Sequence, residues 1–260
     1  MISSPPFARD LRAALSAGEL SVAYQGQYDL DAMTPGSAAA AVPVGVEALA
    51  RWDHVVLGAV PPDRFIPLAE EAEFLDEVDA DIFHRAAVQV SHWHEAGLGV
   101  ELSVNASPAH FSSRYADDVL SRLDDLGLDP AMLTIEITEA PTPQLRPPML
   151  SAIEALRAVG VSISVDDFGA EDTTLAMLDL LPIDEVKIDR SLTRRTDAAA
   201  HDAVAAVVVA GARHGWRVTA EGIETVDDLE RAVARGCHRG QGYLWGKPVP
   251  ARDMEAALRG

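Results

Sequence analysis

Hydrophobic positions along the chain follow two periods. Period-two alternation or short apolar runs mark "SVAYQGQYDL", "VGVEALARW", "GVELSVN", "MLTIEIT", "VSISVDD", "DEVKID" and "WRVTAEG", with a further short strand around "GCHRGQG". Helical stretches separate them: "PPDRFIPLAEEAEF", "LDEVDADIFHRAAVQVSHWHEAG", Pro108–Leu126, Pro147–Val159, His201–His214 and Val226–Ala234. Gly127, Gly160, Gly215 and Gly236 stand where the last four of these should stop, as glycines after a helix C-cap do. An N-terminal helix, "SPPFARDLRAALSAG", is expected to end at Gly18, and "DAMTPGSAAAAVP" reads as a loop of small residues.

Strands alternating with helices imply a parallel sheet, and about eight such units in this length fit a (β/α)8 TIM-like barrel. An open doubly wound sheet competes with it, but no glycine-rich dinucleotide fingerprint follows the first strand. The expectation is a single domain over residues 1–260, with the helix at 1–18 and the barrel at about 20–258.

Composition narrows the function. Hydrophobic residues make up 48% of 260 positions, enough for a sizeable core, and the net charge is −20. So acidic a chain repels duplex nucleic acid and holds a phosphate ligand only where local cations compensate. One cysteine, Cys237, excludes an internal disulfide, and no histidine pairing marks it as a nucleophile. The N-terminus lacks a signal peptide's apolar core and no apolar run reaches membrane-span length, so the expected location is cytoplasmic, without membrane insertion. The eight histidines form no cluster; His92 and His94 are two apart and read as surface residues, while Trp52, Trp93, Trp216 and Trp245 read as packing.

In a β/α barrel the chemistry sits at the C-terminal strand ends. The polar residues there are Glu47 and Arg51, Asn105, Glu136 with Glu139, Asp166 and Asp167, Lys187 and Asp189, Glu221 with Glu224, Gln241, and Gln25 on the first strand. Any one such acid alone reads more simply as a helix cap or loop residue. Carboxylates recurring on strand after strand need cations, and Asp, Glu and Asn oxygens suit Mg²⁺, Mn²⁺ or Ca²⁺ better than zinc.

The ordered segments "VGVEALARW", "RFIPLAEE", "VNAS", "IEITE", "VDDFG", "LPIDEVKIDRS", "AEGIET" and "GCHRGQGYLWGKPVP" resemble those of EAL domains, bacterial phosphodiesterases that hydrolyse cyclic di-GMP. The resemblance runs from about Gln25 to Pro250. It implies a barrel with an irregular first strand, a homodimer, and two Mg²⁺ or Mn²⁺ ions, with Ca²⁺ inhibiting. It also implies that Glu47, Asn105, Glu136, Asp166 and Asp167 are metal ligands. By the same match Lys187, Glu221 and Gln241 serve the attacking water, and Glu139 anchors the loop after the aspartates. Gln25, Arg51, Asp189 and Glu224 fall at ligand-binding positions. The implied product is linear pGpG.

The chain departs from the family pattern in three places, one of them "RWDHVVLG", which lacks the proline that usually follows the histidine. After Asp166-Asp167-Phe168-Gly169, the family's Thr-Gly-Tyr is replaced by Ala170-Glu171-Asp172, and "YQGQYDL" stands where the family has Tyr-Gln-Pro and an aliphatic. Glutamate in place of glycine loses positive-φ conformations and adds charge beside the carboxylates. The alternative to an active enzyme is therefore a catalytically inactive barrel acting as a cyclic di-GMP receptor or protein-interaction module.

Overall fold

The computed structural model describes residues 4–33, 41–138, 146–170 and 174–260. Helix α1 (Ser4–Ala17) leads into β1 (Leu20–Asp29). β2 (Gly45–His54) and β3 (Gly58–Val60) form a hairpin, followed by α2 (Pro62–Glu71) and α3 (Leu75–Glu95). Strand and helix then alternate through β4 (Glu101–Asn105), α4 (Ser113–Leu126), β5 (Leu133–Thr138), α5 (Pro147–Ala158), β6 (Ser162–Phe168), α6 (Leu175–Leu178), β7 (Glu185–Ile188), α7 (Arg190–Thr193), α8 (Ala198–His214), β8 (Arg217–Ala220), α9 (Val226–Ala234) and β9 (Arg239–Gln241). β10 (Val249–Pro250) and α10 (Ala251–Arg259) complete the described elements.

Eight strands close into a ring in the order β1-β9-β8-β7-β6-β5-β4-β2, with β2 returning to β1. Neighbours from β2 round to β9 are parallel, while β1 is antiparallel to both β2 and β9. This is the expected barrel with an irregular first strand. β3 and β10 lie outside the ring, as additions to β2 and β1.

Strand alternation divides the barrel into two chemistries. The buried outward set, including Val46, Leu102, Val104, Ile135, Ile163, Val186 and Val218, belongs to one core shared with Ala86, Val90, Ile153, Leu156, Val204 and Val207 of the surrounding helices. Burying each of the larger aliphatic chains contributes about 1.5–3 kcal/mol. The intervening positions face the axis and are polar: Ser103, Thr134, Glu136, Ser164, Glu185, Lys187 and Thr219 are all buried. Branched aliphatic layers usually fill such a barrel; here they are replaced by hydrogen-bonding groups. A second apolar cluster under α1 and α2 joins Phe7, Leu11, Trp52, Phe65 and Phe74.

The helix expected over Pro108–Leu126 is interrupted. A 3-10 turn covers Pro108–His110, and α4 starts afresh after Ser112, whose hydroxyl accepts the Tyr115 N–H at 3.3 Å. An extended serine that satisfies an otherwise orphaned donor resets the helix start. His94 also corrects its surface reading: it is partly buried, and its Nε2 lies 2.8 Å from the Val100 carbonyl. Trp52, Trp93 and Trp216 are buried as expected, and Trp245 packs against the core.

Asp79 on α3 carries a structural consequence. Its Oδ2 accepts the Ser107 N–H at 3.1 Å, tying α3 to the segment after β4. Burial raises its pKa from 3.8 to about 7, against the lowering effect of that hydrogen bond and with help from Asp76. A carboxyl raised on folding favours the folded state when protonated, so stability falls as pH climbs from about 4 through about 7. Asp79→Asn keeps an acceptor for Ser107 and removes the charge. Relative to the parent it should gain on the order of 1–2 kcal/mol between pH 5.5 and pH 8 in urea unfolding. A pH-independent difference would mean that the carboxylate is ionised throughout.

Candidate metal and phosphodiester site

The C-terminal mouth of the ring gathers most of the strand-end residues picked from the sequence. Lys187 on β7 is fully buried at their centre. Its Nζ lies 2.8 Å from Glu136, 2.8 Å from Glu221, 3.3 Å from Asp166 and 3.4 Å from Glu47. Asn105 donates to Glu47 Oε1 at 2.9 Å, and Gln241 donates to Glu47 Oε2 at 2.6 Å and to Gln25 Oε1 at 3.2 Å. Gln25 in turn donates to the Gly246 carbonyl at 3.3 Å.

Two adjacent aspartates reach one site because the strand breaks its own alternation. In a regular strand Asp167 would point away from Asp166. The β6–β7 register shifts between Val165 and Phe168, and Asp167 takes φ 60°, a left-handed conformation uncommon outside glycine. Gly169 follows at φ 97°, where an added Cβ would lie 2.1 Å from Leu192 Cδ1. The bulge turns Asp167 inward, so Asp166, Asp167 and Glu221 offer oxygens within 4.8 Å of one another. Glu47, Glu136 and Asp166 make a second such group. Asp166 belongs to both.

One cation among five carboxylates leaves a strongly negative site. Desolvation pushes Glu136 and Glu221 well above the usual carboxylate range, reinforced by neighbouring carboxylates and only partly opposed by Lys187. Desolvation and the Asp166 charge raise Asp167 to about 6. Glu47 is the exception: burial would raise it, but Lys187 and the bonds from Gln241 and Asn105 hold it below its usual value. For Lys187, desolvation is outweighed by its four carboxylates and its pKa rises well above 10.5. An all-oxygen donor set with surplus negative charge fits hard divalent cations.

The rim residues differ. Arg51 is half-buried, its guanidinium destabilised by desolvation and partly recovered through the Glu47 charge, which places it beside the cluster. Asp189 accepts the Ser191 N–H at 2.8 Å as the N-cap of α7, and its charge also acts on Asp167. Glu224 is exposed and ion-paired with Arg194. Glu139, Glu171 and Asp172 lie outside the described residues.

Two sets of interior residues were missed. Below the mouth, Gln27 is fully buried and touches Glu136. At the opposite end, Arg239 and Arg217 bridge Glu101 at 2.6 Å and 3.3 Å, and Arg217 reaches Glu185 at 2.7 Å. The signal for Gln27 was its spacing of two from Gln25 in "YQGQYDL", which puts both on the inner face.

Known proteins share the sequence pattern and the barrel. A family model described as "EAL domain" matches residues 8–248. The chain is 33% identical over 253 residues to the bifunctional diguanylate cyclase/cyclic di-GMP phosphodiesterase MucR of Pseudomonas aeruginosa, covering 96% of this chain and 36% of that protein. It is 34% identical over 218 residues to the cyclic di-GMP phosphodiesterase PA2567 of the same organism, covering 83% and 37%. A solved structure of the PaMucR phosphodiesterase in complex with c-di-GMP superposes with a TM-score of 0.84 at 32% identity, covering 96% of this chain and 99% of that one. The chain thus spans about a third of the length of these curated relatives.

Proposed function

The chain belongs to the EAL domain family, and from that premise we propose that it is a cyclic di-GMP phosphodiesterase, opening one phosphodiester bond to give linear pGpG. The observation that carries this reading is the convergence of Glu47, Glu136, Asp166 and Glu221 on Lys187, with Asp167 beside Asp166 and Glu221, a charge excess that added cations would balance. Glu47, Asn105, Glu136 and Asp166 would hold one Mg²⁺ or Mn²⁺, and Asp167 with Asp166 a second. Bound there, the ions would polarise the phosphate and acidify a water.

The chain's own groups do the rest. Glu221, held by Lys187 at 2.8 Å, takes the proton of the attacking water. Lys187 keeps the carboxylates in place and offsets the negative charge that develops on the phosphoryl oxygens. Gln241 holds the water through its side-chain amide, with Glu47 fixing that amide in position. Arg51 clamps the second phosphate, as a planar guanidinium does best, and Gln25, Asp189 and Glu224 line the dinucleotide's path. Glu139 steadies the loop after Asp167, and the active form is a homodimer.

A complete carboxylate set favours the enzyme over a silent receptor. The test is a crystal soaked in Mn²⁺ and read by anomalous scattering. Two peaks are expected, one at Glu47, Asn105, Glu136 and Asp166 and one at Asp166 and Asp167; a mouth without either peak contradicts the reading.

A further inference from the structure

Gln27 is a polar side chain with no solvent exposure, placed directly beneath the proposed metal site. Its Nε2 has two hydrogens and two acceptors: Ser103 Oγ at 3.3 Å and Glu136 Oε1 at 3.4 Å. Lys187 donates to the other oxygen, Glu136 Oε2, at 2.8 Å. Both oxygens of one carboxylate are therefore held from inside the barrel, which fixes the carboxylate plane. Reversing the amide would set its oxygen against the Glu136 oxygen and give up that bond, with only the Ser103 hydroxyl left able to donate to it. The cost is visible at Gln27 Oε1, which is buried without a hydrogen-bond partner. A buried amide oxygen left unpaired costs about 1–3 kcal/mol, which the bonds from Nε2 to Ser103 and Glu136 offset in part.

Gly45, opposite Gln27 on β2, makes the room. A Cβ there would lie 2.9 Å from Gln27 Oε1.

We propose that Gln27 is a positioning residue that sets the orientation of Glu136 and through it the affinity of the mouth for divalent cations. The proposal rests on the metal-site reading above. Outer partners of metal ligands typically change affinity by about 10- to 100-fold, and the 3.4 Å contact belongs at the lower end.

The test compares the parent, Gln27→Leu, Gly45→Ala and the double variant by calorimetric titration with MnCl₂ in the absence of nucleotide, together with a metal-free crystal structure of Gln27→Leu. Gln27→Leu should bind Mn²⁺ about tenfold more weakly. Its Glu136 carboxylate should be rotated out of the parent plane, and its KM for cyclic di-GMP at saturating Mn²⁺ should be unchanged. Gly45→Ala displaces the Gln27 amide and should weaken Mn²⁺ binding in the parent background only, since in Gln27→Leu the amide is absent. A folded Gln27→Leu with parental Mn²⁺ affinity and an unmoved Glu136, even with altered thermal stability, overturns the proposal. If the parent itself binds no Mn²⁺, the metal-site reading fails, and the Glu136 orientation in Gln27→Leu still decides whether Gln27 positions it.

Discussion

Asp166→Ala is expected to lower turnover of cyclic di-GMP by on the order of a thousandfold or more while leaving the barrel folded. Asp166 is the one residue common to both groups of converging oxygens, so its loss removes a ligand from each proposed cation. Its structural duties are small. It accepts the Asp167 N–H at 2.9 Å and faces Lys187 at 3.3 Å. Desolvation raises its pKa despite Lys187, so the folded state tolerates its charge at a cost, and removing it should leave stability equal or higher. Glu47→Ala removes a ligand from one group only and gives up the bonds from Asn105 and Gln241, so its turnover should also collapse, with some loss of stability. Turnover by both variants at the parental rate would sink the two-cation account.

Lys187→Met should have the largest effect on stability. The side chain is fully buried and counters four carboxylates, so removing it leaves buried charge uncompensated, at a cost of about 3–5 kcal/mol. The pH dependence follows in sign. The Lys187 pKa is raised on folding, so its stabilising contribution is complete below about 10.5 and lost only above that. In the variant the carboxylates must take up protons instead, so its deficit against the parent should shrink as pH falls toward 5 and widen toward 8. Divalent cations should substitute for the missing ammonium: millimolar Mn²⁺ should raise the melting temperature of Lys187→Met by more than that of the parent. An equal shift in both proteins would mean that Lys187 and the cations do not share the same carboxylates.

The barrel was legible because helix-stopping glycines and apolar strands recur at steady spacing. Gly127 and Gly215 take left-handed conformations at the ends of α4 and α8, as their positions implied. What the strands put on the inside was harder to see. In "MLTIEIT" and "DEVKID" the inward Glu136 and Lys187 stand out at the strand ends, whereas the inward Thr134 and Glu185 below them are masked by the apolar set. The polar floor of Glu101, Glu185, Arg217 and Arg239 sits at strand starts, the end of a β/α barrel opposite its usual site. Inward placement of Asp167 was also beyond a period-two pattern, since it depends on a bulge and a left-handed residue.

The most direct test of the account is single-turnover hydrolysis of cyclic di-GMP by the parent protein in Mn²⁺ and in Mg²⁺, with binding of the intact dinucleotide measured in Ca²⁺. The account predicts clean conversion to linear pGpG with either of the first two ions, and binding without conversion in Ca²⁺. Tight binding in Ca²⁺ with no product in Mn²⁺ or Mg²⁺ would contradict it and make the barrel a receptor.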